Sequence, residues 1–337
     1  MPYDPTTDRR TLLGSGLGMA AFAAAAAGSL GGAAQAAGYM SKRKTIKGAS
    51  LKGPYLDFDK PRDNMLGMAR IAGDIDCKTT THGWYDGLVM GTAPGGPIRN
   101  ICGMKGMSSY RMEKLPDGGY RRLLREVGYY YDLETGKIME EMINPYTGEK
   151  VKIVPINNDP FNATFQETVT PPPSYGGLNT AKREPKPFML KWRIQQPDRV
   201  IMERHIHLYY KNALDPKVWQ RESSGPMVQV SEFFNHVLSL DDLQNEEMTH
   251  IPYSGTWSRS TPWLPWLLMG QAEGNCIYQC FMGGTGVLET LPEDIVQYTE
   301  KNFPKYLKAP EKFEEPSLSS IEWYSRTQKP APPRGGV

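Results

Sequence analysis

The sequence YRRLLREVGYYYDLETGKIMEEMINPYTGEKVKIVPI, at residues 120–156, gives the clearest indication of fold class in this 337-residue chain. Its first part is rich in aromatic residues, which suit the pleated surface of a β-sheet. Residues 132–137 and 144–149 each combine an Asp or Asn with a following Gly, as is typical of hairpin turns. Short strands separated by such turns predict an antiparallel meander that closes into a barrel or a sandwich.

The same alternation of strand-like runs and turns continues on both sides of this stretch. Further candidate strands lie at residues 84–90, 109–114, 188–194, 199–210, 227–233 and 275–282. Helical spacing of apolar residues is limited to short segments, at residues 63–75 and 291–303. We therefore expect a mainly β fold: an antiparallel β-barrel of the lipocalin or calycin kind with a few short helices, in a single domain over residues 63–328.

The N-terminal segment has the three parts of a secretory signal. Arg9 and Arg10 precede an Ala- and Gly-rich apolar stretch, and Ala34 and Ala36 supply the small residues that a signal peptidase recognises. We expect a twin-arginine signal over residues 1–37, the export machinery as a partner, and a periplasmic or secreted mature protein. An Ala-rich membrane anchor is the alternative. The stretch is poor in Leu, Ile and Phe, so we expect no stable membrane insertion after cleavage.

Three other segments differ from the β-rich part in composition. Residues 38–62 are polar and Gly-rich and are expected to form an arm before the domain. Residues 171–187 begin with three prolines and predict a long loop or lid rather than a domain boundary. Residues 329–337 are rich in Pro and Gly and are expected to be a disordered tail.

Charge and motifs exclude several classes of protein. The formal net charge of +2 argues against nucleic acid as the main partner. The mature part contains no phosphate-binding loop, no dinucleotide fingerprint and no nucleophile-elbow motif, so we expect no organic cofactor and no serine-type hydrolysis. Cys276 and Cys280 would lie about 13 Å apart on one strand, too far for a disulfide. A bridge between Cys77 and Cys102 is left open.

The candidate strand at residues 201–210 has the most suggestive polar pattern. Because side chains alternate along a strand, Glu203, His205, His207 and Tyr209 share one face. Two histidines beside a carboxylate could transfer protons near neutral pH. A solvent-facing polar stripe is the alternative. A metal site would need a further ligand such as His82, and the four cysteines have no zinc-site spacing, so no metal is expected.

A second group of candidates would line the lumen of the barrel. Arg125, Tyr129 and Tyr131 share one face of the strand at residues 120–131 and would suit a phenolic or carboxylated ligand. Asp159 follows a strand and would act as a general base if it faced the cavity. Three further residues, predicted to contact the substrate, are Trp263, Trp266 and His82. Each of these aromatic clusters has an alternative interpretation as ordinary core or exposed strand residues.

Four segments are similar to those of a known bacterial family. They are EVGYYYDLETG at residues 126–136, NPYTGE at 144–149, NDP at 158–160 and WLPWLLMG at 263–270. On these motifs the chain resembles the family designated domain of unknown function 1838, over about residues 67–324. The resemblance implies one conserved domain and frequent twin-arginine export. It brings no activity and no catalytic residues.

These observations favour an exported enzyme without an organic cofactor. We expect it to act on a small hydrophobic or aromatic metabolite by acid–base chemistry, as a lyase, hydratase or isomerase. His205 and His207 would transfer protons, Glu203 would orient one of them, and Arg125 with Tyr129 would hold the substrate. The alternative is a non-catalytic periplasmic binding protein of the same barrel type. A third hypothesis is an envelope-interaction protein with no pocket and an exposed histidine row.

Overall fold

The computed structural model describes residues 52–170, 184–196, 198–315 and 317–334. These described residues belong to one compact unit. The expected signal at residues 1–37, most of the expected arm and the first part of the Pro-rich loop lie outside the described residues.

The described chain is mainly β, as expected. The strands are β1 (Thr81–Thr92), β2 (Arg99–Lys114), β3 (Tyr120–Tyr131), β4 (Glu141–Ile143), β5 (Lys150–Lys152), β6 (Ile156–Asn158), β7 (Ala163–Phe165), β8 (Thr168–Val169), β9 (Lys186–Pro187), β10 (Lys191–Gln196), β11 (Arg199–Lys211), β12 (Met227–Ser239), β13 (Tyr253–Thr261) and β14 (Asn275–Gly284). The helices are α1 (Pro61–Ala72), α2 (Leu240–Gln244), α3 (Glu293–Asn302) and α4 (Ser320–Thr327). Short 3₁₀ helices lie at Pro265–Leu267, Leu288–Thr290 and Pro304–Leu307.

Ten of the strands form one antiparallel sheet. Its order is β10-β11-β12-β13-β14-β1-β2-β3-β6, and β7 pairs with β3 beside β6. The order joins the C-terminal strands to the N-terminal ones through β14 and β1, which pair from Trp84–Gly283 to Thr92–Asn275. The backbone pairing of the described strands leaves β10 at one edge and β6 and β7 at the other.

The sheet is strongly curled. Arg122 on β3 and Arg204 on β11 are separated by six strand spacings, which would be about 29 Å in a flat sheet. Both nevertheless line the same cavity, and the charge of Arg122 contributes to lowering the pKa of Arg204. The inner face of the sheet therefore surrounds an interior space.

Two clusters of buried side chains close the ends of this space. At one end α1 inserts Met65, Met68 and Ile71 between the β2–β3 side and the β11–β12 side of the sheet. Pro61 begins the helix, where its missing N–H has no helical partner to lose. At the other end an aromatic cluster that includes Trp263 and Trp266 packs under the sheet. Outside the sheet, α3 covers β2 and β3 through a third cluster.

Several local predictions are confirmed, and others are shortened by tertiary structure. β3 covers the predicted residues 120–131, and α1 covers most of the helix predicted at 63–75. The segments on either side of the turn at residues 144–149, which the alternation of strands and turns predicts to be strands, form only the three-residue β4 and β5, because these two pair only with each other, outside the large sheet. Both predicted hairpin turns are present, with Gly136 and Gly148 at positive φ.

The remaining predicted segments are described in part. β8 and β9 pair with each other on either side of residues 171–183, so the Pro-rich loop starts and ends at a small β-ladder. In the tail, the backbone N–H of Ala331 donates a hydrogen bond to Glu222, and Arg221 donates one to the carbonyl of Pro332. Among the described residues, no helix has the length and apolar character needed to cross a membrane.

Candidate functional site

A cavity of about 370 Å³ lies against the inner face of the curled sheet. This volume falls at the small end of the range found for small-molecule sites. Six ionisable residues from four strands line it: Arg122, Glu126, Arg204, Glu232, His236 and Arg259. Ionisable groups are uncommon inside proteins unless they are paired or functional, so their concentration here marks the candidate site.

The register of the sheet brings these residues to one face. Arg204 pairs across the strands with Phe234, Ile206 pairs with Glu232, and Glu232 in turn pairs with Arg259. Since directly opposed residues of an antiparallel sheet point to the same side, all of them face the cavity. On β3 and β6 the pair Glu126–Asn158 has the same orientation.

One end of the cavity is acidic and phenolic. The Asn158 side chain donates a 2.6 Å hydrogen bond to the Glu126 carboxylate. Burial nevertheless raises the pKa of Glu126 above its usual value, because loss of solvation outweighs the hydrogen bonds to the carboxylate. The Tyr85 hydroxyl is buried and lies near the Glu126 carboxyl, with which it interacts. Burial raises the pKa of Tyr85 as well, so its hydroxyl stays protonated.

Two glycines create the notch that holds Tyr85. A Cβ at Gly128 would lie 2.3 Å from the Tyr85 hydroxyl oxygen, and one at Gly106 would lie 2.6 Å from the Cζ of the same ring. Real Cβ atoms do not approach other atoms this closely, so both positions require glycine while Tyr85 keeps its place. The glycines on neighbouring strands thus fix the phenol against the sheet, with its hydroxyl next to the acidic end.

Another part of the cavity is cationic. Burial, and next to it the positive charges of Arg204 and Arg122, lowers the pKa of His236 to about 3. This imidazole is therefore neutral at neutral pH. Two tyrosine hydroxyls, of Tyr110 and Tyr253, lie in the same region, and a Cβ at Gly83 would be 3.4 Å from each. The Tyr110 hydroxyl and the His236 Nδ1 have no hydrogen-bond partner.

An aromatic wall connects the two ends. The rings of Phe234 and Trp257 are nearly parallel, with an interplanar angle of 11° and centroids 6.2 Å apart. The Trp257 indole N–H is buried without a partner. Beside this wall the Arg259 guanidinium lies 3.7 Å from the Glu232 carboxylate, so these two charges largely neutralise each other. The arrangement offers flat apolar surface between two polar ends.

The polar row predicted on β11 lies on the outer face of the sheet, and the expectation that it faces the interior is wrong. His205 and His207 are exposed, and their rings contact Phe233 edge-on at 5.2 and 5.6 Å between centroids. Glu203 forms an ion pair with Arg193 at 2.5 Å. Tyr209 continues the same row, because it alternates with the inward residues of the strand. The cavity receives Arg204 and Ile206 instead.

Asp159 and Arg125 form an ion-pair network away from the cavity. Asp159 accepts a 2.8 Å bond from the Arg125 Nε and lies 2.7 Å from the Lys305 ammonium. The Arg125 guanidinium also donates to the carbonyl of Lys308. This network connects β3 and the turn after β6 to the segment that follows α3. Arg125 is therefore not in a position to bind a substrate inside the sheet, as was predicted for it.

Tyr129 and Tyr131 also point away from the cavity. Tyr129 is fully buried under α3, where it exchanges a hydrogen bond with Thr299. The Tyr131 hydroxyl donates to Asp86 at 2.7 Å, and the Lys105 ammonium lies 4.7 Å from the ring centroid. Both side chains stabilise the outer layer, because they share the opposite face of β3 from Glu126.

Trp263 and Trp266 lie next to the candidate site rather than in it. They line a separate small cavity of about 60 Å³, which shares Trp257 and Arg259 with the large one. The Trp263 indole N–H donates to the carbonyl of Ala272. His82 is buried on the outer side, with its Nδ1 2.9 Å from the Ser109 hydroxyl, and burial lowers its pKa.

The sequence contains a pattern that could have identified the cavity-lining residues of β11. On β11 the face that the structure turns inward reads Met202, Arg204, Ile206 and Leu208, an apolar face with one charge. A lone charged residue on an otherwise apolar strand face must be buried together with its neighbours, so it indicates a site more strongly than an all-polar row. Among the described residues, no cluster of three His, Cys, Asp or Glu side chains is placed to hold a metal ion.

Comparison with known proteins gives one family. A model described as a protein of unknown function, DUF1838, matches residues 78–328. A search of curated proteins gives no match. The matched region contains every one of the six ionisable residues that line the cavity.

Proposed function

The chain belongs to the DUF1838 family, and we propose that it is an exported enzyme that uses no organic cofactor. It acts on a small aromatic metabolite by acid–base chemistry, as a lyase, hydratase or isomerase. The observation that supports this most is the buried Glu126 carboxyl beside the buried Tyr85 hydroxyl, with both residues lining one cavity. Twin-arginine export, a periplasmic or secreted location and lipocalin-like ligand binding inside a curved sheet belong to the same proposal.

Glu126 is the proton-transfer residue in this proposal. Its raised pKa keeps the carboxyl protonated to a higher pH than an ordinary glutamate, which suits a group that donates and then recovers a proton. The Asn158 amide holds the carboxyl in one orientation through its hydrogen bond. Such tuning of a carboxyl by burial is a recurrent device in enzymes that run acid–base chemistry without metals.

Tyr85 and the aromatic wall position the substrate. The Tyr85 hydroxyl remains protonated, so it donates a hydrogen bond to an oxygen on which negative charge develops. A planar substrate lies along Phe234 and Trp257, which present parallel rings to the cavity. His205 and His207, on the outer face, have no part in the reaction.

Substrate trapping tests the proposal, because it lets the protein select its own substrate from the cell. Wild-type protein and Glu126→Gln are purified from the native envelope, and the small molecules released on denaturation are identified by mass spectrometry. We expect Glu126→Gln to retain a compound that wild-type protein converts to an isomer, or to a product changed by the gain or loss of a small neutral molecule. Glu203→Gln, on the outer face, is the matched control and should behave as wild type.

The alternative function is binding without chemistry. A compound that is retained equally by wild type and Glu126→Gln, and that wild type returns unchanged after incubation, would refute the enzyme and leave a periplasmic binding protein. Conversion of the compound at equal rates by both proteins would refute the role of Glu126 but not the enzymatic activity.

A further inference from the structure

We propose that the ligand of the cavity has a carboxylate group, which binds to the guanidinium groups of Arg122 and Arg204. The inference names the substrate class of the proposed function and rests on the same cavity. The ligand is thus an aromatic carboxylate: its acid group binds at the cationic end, its ring lies along Phe234 and Trp257, and its reacting part reaches Glu126.

The first support is that no carboxylate of the described residues lies within ion-pair distance of either guanidinium group. Arg259 has Glu232, and Arg125 has Asp159. Within the described residues, neither Arg122 nor Arg204 forms an ion pair or hydrogen bond, and the Arg122 Nε is buried without a partner. Enclosed cations of this kind are costly unless something supplies the missing negative charge.

The second support is the arrangement of charge around the two arginines. The charge of Arg122 adds to burial in lowering the pKa of Arg204, so the two cations lie near each other. His236, whose pKa both arginines help to lower, is neutral. Glu232 is paired with Arg259 and also acts on Arg204 at longer range, and Glu126 acts in the same way on Arg122, but neither carboxylate forms an ion pair with these two arginines. The cationic end therefore carries an excess of positive charge that a bound anionic group would reduce.

The third support is a set of unused polar groups at this end. The hydroxyl of Tyr110 and the Nδ1 of His236 have no partner, although both side chains are more than nine-tenths buried. Buried donors and acceptors are nearly always satisfied in proteins, so their coincidence indicates a ligand atom within reach. Two guanidinium groups and a phenol together supply the donors that a carboxylate accepts.

The rest of the lining favours an aromatic acid over a phosphate. Leu124, Ile206, Phe161 and Phe234 contribute apolar surface to the same cavity. Phosphate has no apolar part to bury against this surface, whereas an aromatic carboxylate places its acid group at the arginines and its ring along the apolar lining. Free inorganic phosphate is therefore expected to bind more weakly than an aromatic carboxylate.

Binding of simple probes tests the inference independently of turnover. Thermal shift and calorimetry at pH 7 compare benzoate, 4-hydroxybenzoate and 4-hydroxycinnamate with their uncharged amides and with inorganic phosphate. We expect at least one carboxylate to stabilise the wild-type protein, and its amide to bind at least tenfold more weakly. Arg122→Met and Arg204→Met should each weaken carboxylate binding tenfold or more, and Arg204→Lys should weaken it less. Arg193→Met, on the outer face, should leave it unchanged.

Two results would overturn the inference. One is that no carboxylate stabilises the protein more than its amide does. The other is that both arginine variants, folded by circular dichroism, bind the carboxylate as wild type does. Stronger stabilisation by phosphate than by every carboxylate would also contradict it. Carboxylate binding without any turnover would leave this inference standing and count against the enzyme, so the two failures are distinguishable.

Discussion

Gly128→Ala tests the notch that positions Tyr85, and the structure gives the expected cost. The added Cβ would lie 2.3 Å from the Tyr85 hydroxyl oxygen, with the next atoms, from Ile156, at 3.2 and 3.3 Å. Restoring ordinary contact requires the hydroxyl to move by about 1 Å. The ring has little room to move because it also lies over Gly106. Overpacking of this kind costs about 1–3 kcal/mol of unfolding free energy.

The double variant isolates the contact. In Tyr85→Phe the clashing oxygen is absent and only the tight contacts with Ile156 at 3.2 and 3.3 Å remain, so Gly128→Ala should cost clearly less there than in the wild type. Denaturant unfolding of wild type, both single variants and the double variant should therefore give a coupling free energy of about 1–3 kcal/mol. Gly96→Ala is the control, since its Cβ would meet only a carbonyl oxygen at 3.7 Å.

An equal cost of Gly128→Ala in both backgrounds would refute the reasoning. It would mean that the Tyr85 hydroxyl does not lie against Gly128, and the placement of this hydroxyl beside Glu126 would fail with it. A cost that is clearly smaller with Tyr85→Phe would establish the notch, and the same variants then report on the function of the hydroxyl.

Three further predictions concern stability and the outer face. Arg70→Met should lower the unfolding free energy, measured by denaturant unfolding, by about 3 kcal/mol or more. The buried guanidinium donates hydrogen bonds to the carbonyls of Met248, Leu243 and Asp242, and these carbonyls would lose their partner. A decrease of less than about 1 kcal/mol would contradict this prediction. The pKa of His236 is depressed to about 3, so its contribution to stability is complete above the unfolded pKa of about 6.5 and declines by up to about 1.4 kcal/mol per pH unit as the pH falls toward 3. His236→Phe should reduce that decline, and a pH profile of the unfolding free energy identical to that of the wild type would rule out the buried neutral imidazole. The pKa of Glu126 is raised, so its contribution to the unfolding free energy has the opposite pH dependence and is lost as the pH rises. The double variant His205→Ala/His207→Ala should retain ligand binding and change the unfolding free energy by less than about 0.5 kcal/mol per site. Loss of ligand binding in this variant would show that the two histidines contribute to the binding site.

The two ends of the cavity differ in their relation to folding. The acidic end is supported by the Asn158 hydrogen bond and the glycine notch, so it is preorganised in the structure described. The cationic end brings Arg122 and Arg204 together without a counter-ion among the described residues. Sites commonly retain such unfavourable groups because a bound ligand compensates them, and ligand binding then stabilises the fold by mass action.

Sequence patterns predicted the elements better than their orientation. The alternation in β3 and β11 identified both strands, since strand periodicity and turn residues are local properties. The choice of functional face is wrong on β11, because the site was assigned to the polar row that includes His205 and His207 and the structure turns the other face, with Arg204, toward the cavity. Burial of apolar surface is the larger energetic term, so the apolar face turns inward and takes Arg204 with it.

The amino-acid sequence by itself determined the mainly β class, the hairpin turns, the family and most strand positions, because each depends on neighbouring residues or on recognisable motifs. Only the tertiary structure decided that Glu126, His236 and Arg204 share a cavity. They lie on β3, β12 and β11, and their meeting depends on the sheet order, in which β14 pairs with β1, and on the curvature that brings distant strands face to face. Both are set by long-range pairing and by packing of α1 and the aromatic cluster at the two ends, interactions that no local pattern encodes.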